Sequence, residues 1–236
     1  MILVKLLPMK VLAIETATVA GSAAILDDSK GLIGELKVDV RIAHAERLTA
    51  SIDWILKASC LSINDMDAFA VSIGPGSFTG LRIGLSTIKG FSYATGKPVV
   101  PVPTLDAFAS TIPFCHFQIC PMLDARKNEV YTALYRWDGN TCIKIMPETA
   151  ISPAELLKGI KEPTVFTGEG VVKYKHIIQD TLGGNALFAP ASRMTPSASS
   201  VAERALEIIK QGEPADPAGL TPFYVRKSEA EVNWKG

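Results

Sequence analysis

The sequence predicts an α/β protein built of two lobes, and three observations carry that prediction. Apolar runs of five or six residues, such as KVLAI at 10–14, SAAIL at 22–26 and AFAVSI at 68–73, recur along the chain. They have the length of buried strands. Between them the apolar spacing changes to three or four residues, as in Ile42, Ala45, Leu48, Ile52, Ile55 and Leu56. That is the period of a helix with one buried face. The second half repeats the alternation less cleanly, placing a boundary near 105–115 and dividing the chain into lobes at 9–108 and 109–236. Residues 1–8 read as an extension ahead of a natural start at Met9.

In order along the chain, the runs at 10–14 and 22–26 are joined by the polar turn ETATVAG and form a strand–turn–strand unit. A third strand is predicted at 32–38, and the amphipathic helix at 42–58, with Trp54 in its core face. AFAVSI has no polar alternation, as expected of a strand buried on both faces. A helix follows over 77–95, stopped by Lys97–Pro98, and PVVPVP continues as an extended segment. In the second half, HFQICPMLDAR and EVYTALYRW are strand-like and flank an exposed polar turn holding Asp124, Arg126 and Lys127. Ser152 and Glu155 make a capping-box pattern opening a helix in ISPAELLKGI. TVFTGEG is a strand running into a glycine turn, with a helix expected at 171–182. SASSVAERALEIIKQG predicts a last helix, started by serine and stopped by Gly212.

Composition narrows the function classes. Lys plus Arg and Asp plus Glu both number 24, so the formal net charge is zero. That balance argues against a dedicated nucleic-acid binder working alone, though it allows a local basic patch. Cys60, Cys115, Cys120 and Cys142 form no CxxC pair and read as reduced, mostly buried thiols rather than zinc ligands. The early apolar run resembles a secretory signal, but Pro8, Lys10 and Glu15 interrupt it. No run of eighteen uncharged apolar residues occurs to span a membrane. A cytoplasmic location is expected.

The most unusual stretch is GPGSFTGLRIG at 74–84. It is not a P-loop, since no Lys-Ser or Lys-Thr follows at the required offset, and its spacing misses the dinucleotide fingerprint. Glycine inside a helix is unfavourable by about 1 kcal/mol relative to alanine, so Gly80 and Gly84 need a compensating close approach. The spacing favours packing over a phosphate cradle. With Ser77 they form one row, expected to receive a helix of another subunit.

SIGPGSFTGLRIGLSTIKG, preceded by VLAIETA and HAERL and followed by CPMLDARKNEVYTALY, resembles the TsaB (YeaZ) family. The resemblance is strong over 9–135 and looser beyond, through TGEG at 167–170 and PFYVR at 222–226. It implies an ASKHA fold, the actin and sugar-kinase architecture of two α/β lobes. It also implies a partner subunit of TsaD, which, with TsaE, transfers a threonylcarbamoyl group to the adenosine next to the anticodon of tRNA. The partner-facing residues would be His44, Arg47, Ser51, Ser77, Gly80, Leu81, Gly84 and Ile88. The same face would form a homodimer when TsaD is absent.

The resemblance fails where TsaD does its chemistry. TsaD proteins hold their metal with two histidines four residues apart, and sliding that pattern onto VPTLDAF puts Thr104 and Phe108 in their places. Threonine is a poor metal ligand and phenylalanine none. His116 and Cys120, also four apart, would be separated by about 13 Å along a strand. No catalytic or metal residue is therefore assigned. Glu15, Thr16 and Thr18 occupy the turn where ASKHA kinases hold phosphate, and either bind one or cap the turn. The expectation is no cofactor of its own, with ATP or ADP met through the complex. An active ATPase or kinase is the alternative, and a metallopeptidase a weaker one, since no HExxH is present.

Overall fold

The computed structural model describes residues 8–39, 44–212 and 217–226, so the proposed extension at 1–8 lies almost wholly outside the described residues. Two five-stranded sheets are built on one plan. In the first, β1 (Lys10–Glu15), β2 (Ala20–Asp27) and β3 (Gly31–Asp39) run antiparallel. Beyond β1, β4 (Ala68–Gly74) and β5 (Val99–Pro103) add in parallel, giving the order β3-β2-β1-β4-β5. The connections are α1 (His44–Ala58) and α2 (Phe78–Thr95).

The second sheet repeats this. Strands β6 (Gln118–Asp124), β7 (Val130–Asp138) and β8 (Thr141–Ile151) are antiparallel, then β9 (Thr164–Thr167) and β10 (Ala186–Phe188) add in parallel. The order is β10-β9-β6-β7-β8, with α4 (Pro153–Gly159) and α5 (Glu169–Leu182) as connections. Each lobe ends in one more helix, α3 (Thr104–Ser110) and α6 (Ala198–Lys210).

Those terminal helices exchange places. Ala198, Val201, Ala202, Ala205 and Leu206 of α6 pack on Val11, Ala13, Ala24 and Ala70 of the first sheet. Leu105, Phe108 and Ala109 of α3 pack against Ile119, Leu123, Tyr131 and Tyr135 of the second. Small residues on both sides let helix and sheet approach closely in the first contact. The expected division at 108/109 therefore assigns α6 to the wrong lobe. Tyr135 Oη donates to Asp106 Oδ1 at 2.7 Å, and Lys144 pairs with the same carboxylate at 2.8 Å, tying α3 to the second sheet.

The opposite face of the first sheet carries α1 and α2. Leu48, Ile52 and Ile55 from α1 meet Leu85 and Ile88 from α2 over Leu12, Ile14, Phe69 and Val71. Trp54 lies about 200° around α1 from Ile52 and is 59% exposed, which corrects its reading as core. The serines expected to open two helices do so: the hydroxyls of Ser152 and Ser197 accept from the amides of Glu155 and Ser200, and Ser77 likewise accepts from Gly80 N. The Glu155 carboxylate, however, pairs with Lys158 instead of closing a capping box. The thiols are free, but only Cys120 is buried, where desolvation pushes its pKa up to about 12. Cys60 is exposed, which corrects the expectation of mostly buried cysteines. Among the described residues no helix is long and apolar enough to cross a membrane.

Candidate functional site between the lobes

A cleft of about 630 Å³ opens between the lobes, and the equivalent turn of each lobe forms one wall. On the first-lobe side the β1–β2 turn is pressed against the start of α2. Ser77 N donates to Ala17 O at 2.7 Å, and Thr16 Oγ1 donates to Gly80 O at 2.8 Å. A Cβ on Gly76 would sit 2.4 Å from Ala17 O, one on Gly80 1.9 Å from Thr16 O, and one on Gly84 2.4 Å from Thr16 Oγ1. Three glycines therefore let α2 lie directly on the chain's own turn.

This changes several readings of the glycine row. Gly80, Leu81, Gly84 and Ile88 are buried within the chain and offer nothing to a partner. The close approach predicted for them exists, but it is intramolecular. Ser77 is exposed on the cleft rim, capping α2. Arg47 and Ser51 are half-buried on α1, and the side chain of His44 lies outside the described residues. Glu15 and Thr16 are 0% and 1% exposed, so neither reaches the cleft, and only Thr18 of the three lines it. Glu15 Oε1 accepts from Ala17 N at 2.5 Å, while Oε2 and the Ser72 hydroxyl have no close partner among the described residues. Burial raises the Glu15 carboxyl to about 7, against smaller lowering effects from Ser72, Ala17 and Lys37. Burial thus favours the neutral form of this carboxyl up to about neutral pH, and it works as a packed polar group.

The second-lobe wall is built differently. β6 ends at Asp124, the counterpart of Glu15, but Asp124 is exposed and ion-pairs with Lys173 of α5 at 3.4 Å. The turn that follows holds three consecutive non-glycine residues in the left-handed region, Arg126, Lys127 and Asn128, with φ of 61°, 49° and 59°. Only asparagine visits that region readily. Hydrogen bonds hold the turn: Arg126 N donates to Asp124 Oδ1 at 3.0 Å, Ala125 N to Glu129 O at 3.1 Å, and Glu129 N to Arg126 O at 2.9 Å. The polar turn expected here is present, and of its three left-handed residues only Asn128 is of a type that signals the conformation.

The C-terminal segment ties the two walls together. Leu220 is buried in the first-lobe core, Phe223 N donates to Ile73 O at 2.7 Å, and Tyr224 stacks on Phe78 with centroids 4.5 Å apart. Arg226 then reaches the second lobe, donating to Glu129 Oε2 at 2.7 Å and Ala125 O at 2.8 Å. The sequence hinted at this only through the PFYVR aromatics.

A metal does not fit at the position where TsaD holds one. Thr104 and Phe108 are both 0% exposed, and the Thr104 hydroxyl accepts from Gly74 N at 3.1 Å. Among the described residues no three His, Cys, Asp or Glu side chains stand together as a ligand set.

Comparison with known proteins agrees with this geometry. A family model described as TsaD, tRNA N6-adenosine threonylcarbamoyltransferase, matches residues 37–234. The tRNA threonylcarbamoyladenosine biosynthesis protein TsaB of Bacillus subtilis is 30% identical over 96% of this chain and 98% of its own length. Among solved structures, a Pseudomonas aeruginosa protein described as similar to peptidase YeaZ superposes with a TM-score of 0.80 at 24% identity, over 92% of this chain and all of that one. Component A of the Acidaminococcus fermentans (R)-2-hydroxyglutaryl-CoA dehydratase superposes at 0.53 with 13% identity, over 87% of this chain and all of its own, a likeness of fold alone.

Proposed function

This chain belongs to the TsaB (YeaZ) family, with the ASKHA fold, and on that premise we propose that it is the non-catalytic partner of TsaD in tRNA threonylcarbamoyladenosine biosynthesis. The observation that carries the reading is the whole-length likeness to TsaB, joined to a metal position filled by buried Thr104 and Phe108. The chain binds TsaD, works with TsaE, meets tRNA through the complex, and forms a homodimer when alone. It acts in the cytoplasm. It has no cofactor of its own, and ATP or ADP reaches it only through the complex. Burial of Glu15 and Thr16 speaks against an independent kinase, because neither group can touch a phosphate in the cleft.

The partner face is the outer surface of α1 and α2. Trp54 is 59% and Tyr93 69% exposed, and large apolar side chains left in water suit an interface. Gly90 sharpens this. It lies inside α2, on the row of exposed Ser86 and Tyr93, and a Cβ there would meet nothing within 4 Å. Packing within this chain therefore gives no reason for a glycine at 90, whereas close approach by a second helix gives one.

The test is co-purification with TsaD followed by a tRNA modification assay, using wild type and Gly90→Leu. The variant folds normally, because leucine is a better helix former in open space, yet loses both TsaD pairing and the homodimer. Intact assemblies in the Gly90→Leu protein would remove α2's outer face from the interface. Absence of modification by the wild-type complex would sink the functional reading itself.

A further inference from the structure

The second-lobe turn at Arg126–Asn128 has a role that the partner function does not use. It places two cationic side chains, Arg126 and Lys127, on a backbone that disfavours both of them. Strain of this kind persists only where surrounding contacts over-determine it. Here they do: the Asp124 carboxylate accepts the Arg126 amide, and the Arg226 guanidinium grips Ala125 O and the Glu129 carboxylate on either side. Arg226 is thus spent on positioning. The Arg126 guanidinium makes no hydrogen bond or ion pair among the described residues, although it lines the cleft. Lys173, in the second turn of the adjacent helix α5, lines it as well, with its ammonium 5.1 Å from the Tyr174 ring and ion-paired with Asp124 at 3.4 Å.

We propose that Arg126 and Lys127, with Lys173 beside them on the same wall of the cleft, form a phosphate-binding rim that contacts the backbone of the RNA handled by the complex. The inference rests on the function proposed above. Three features favour an RNA backbone over a free nucleotide. Arg126 and Lys173 line the cleft and are exposed, as is Lys127 next to Arg126, so a strand passing outside can reach them. The interior first-lobe turn, where a nucleotide's phosphates would need open backbone, is filled by α2 lying on Thr16 and Ala17. Guanidinium and ammonium groups bind phosphate oxygens without reading sequence, as a subunit that positions RNA for another's chemistry requires. The chain's zero net charge makes such a rim a local device rather than a general affinity for nucleic acid.

Glycine is at home at the φ of 61° that Arg126 adopts, so Arg126→Gly removes the cation while easing the turn. The experiment measures tRNA binding by fluorescence anisotropy across a potassium chloride series, using this chain in complex with TsaD. Arg126→Gly and Lys173→Gln each weaken binding about tenfold at low salt and reduce the slope of log affinity against log salt by about one. Together they reduce it by about two. Lys158→Ala, an exposed cation on α4, changes neither quantity. Wild-type affinity and slope in the double variant overturn the proposal. So does loss of TsaD pairing with tRNA affinity unchanged, which makes the turn a protein-docking element. So does competition by free ATP that Arg126→Gly abolishes, which makes the phosphate a nucleotide's. A wild-type complex that binds tRNA but never modifies it counts against the proposed function and leaves the rim standing.

Discussion

The two lobes repeat one topology, yet their equivalent turns were put to opposite uses. Both sheets bring a central strand to the cleft, turn, and meet the glycine-rich start of a helix: Gly76 and Gly80 in the first lobe, Gly168 and Gly170 in the second. In both, the glycines lie on backbone of the central strand or its turn, since a Cβ on Gly80 would meet Thr16 O at 1.9 Å and one on Gly168 would meet Met122 O at 2.1 Å. The acid that ends each strand diverges. Glu15 is fully buried and its turn is closed by α2, whereas Asp124 is exposed beside a turn presenting cations. One fold element thus serves as a packed joint in one lobe and an open surface in the other. Fold class alone does not say which turn does the binding.

The largest effects should come where the two turns are alike. Gly80→Ala and Gly168→Ala each force backbone apart, and Gly168 also has a φ of 113° that alanine resists. Each should destabilise the protein by about 3 kcal/mol or more, measured by urea denaturation. Gly170→Ala, whose nearest neighbours stand at 3.0 Å and beyond, should lose about 1 kcal/mol. Equal losses at 168 and 170 would mean that close approach is not what the glycines provide.

The next effect separates the lobes. Glu15 titrates near 7 in the fold against 4.5 when exposed, so the fold favours its neutral form. Its contribution is fully present below pH 4.5 and is lost as pH rises from 4.5 through 7, a fall on the order of 3 kcal/mol. Glu15→Gln should flatten that fall, and Asp124→Asn should not. A pH profile unchanged in Glu15→Gln would show that the carboxyl is ionised in the fold. The smallest effect belongs to the cap: Ser77→Ala, losing the 3.2 Å bond from Gly80 N, should lower stability by about 1 kcal/mol and leave TsaD pairing intact.

Most of the first lobe was legible in the sequence because its strands are uniformly apolar and its helices keep one period. β8 was not, since Ile143 and Ile145 face outward while Cys142, Lys144 and Met146 face inward, so no apolar–polar alternation marks it. α3 was hidden by the prolines before it, and by lying buried, which removes the polar face that betrays a helix. The site was read in part. A close approach at Gly80 and Gly84 follows from glycine's unfavourable place in a helix, but spacing cannot tell an approach by a partner from one by residue 16 of the same chain. The turn itself was read, but its strain was not, because apart from Asn128 it holds arginine and lysine, and neither advertises a left-handed backbone.

The return of α6 to the first sheet has a consequence for how the protein is made. Ribosomes deliver the chain from its N-terminus, and every strand of the first sheet has been synthesised by residue 103. One face of that sheet, with Val11, Ala13, Ala24 and Ala70, nevertheless waits for residues 198–210. Throughout the interval in which the second lobe is synthesised, this apolar surface is without its cover. A nascent chain stalled before residue 198 would therefore present it to chaperones, although each of its strands is already complete.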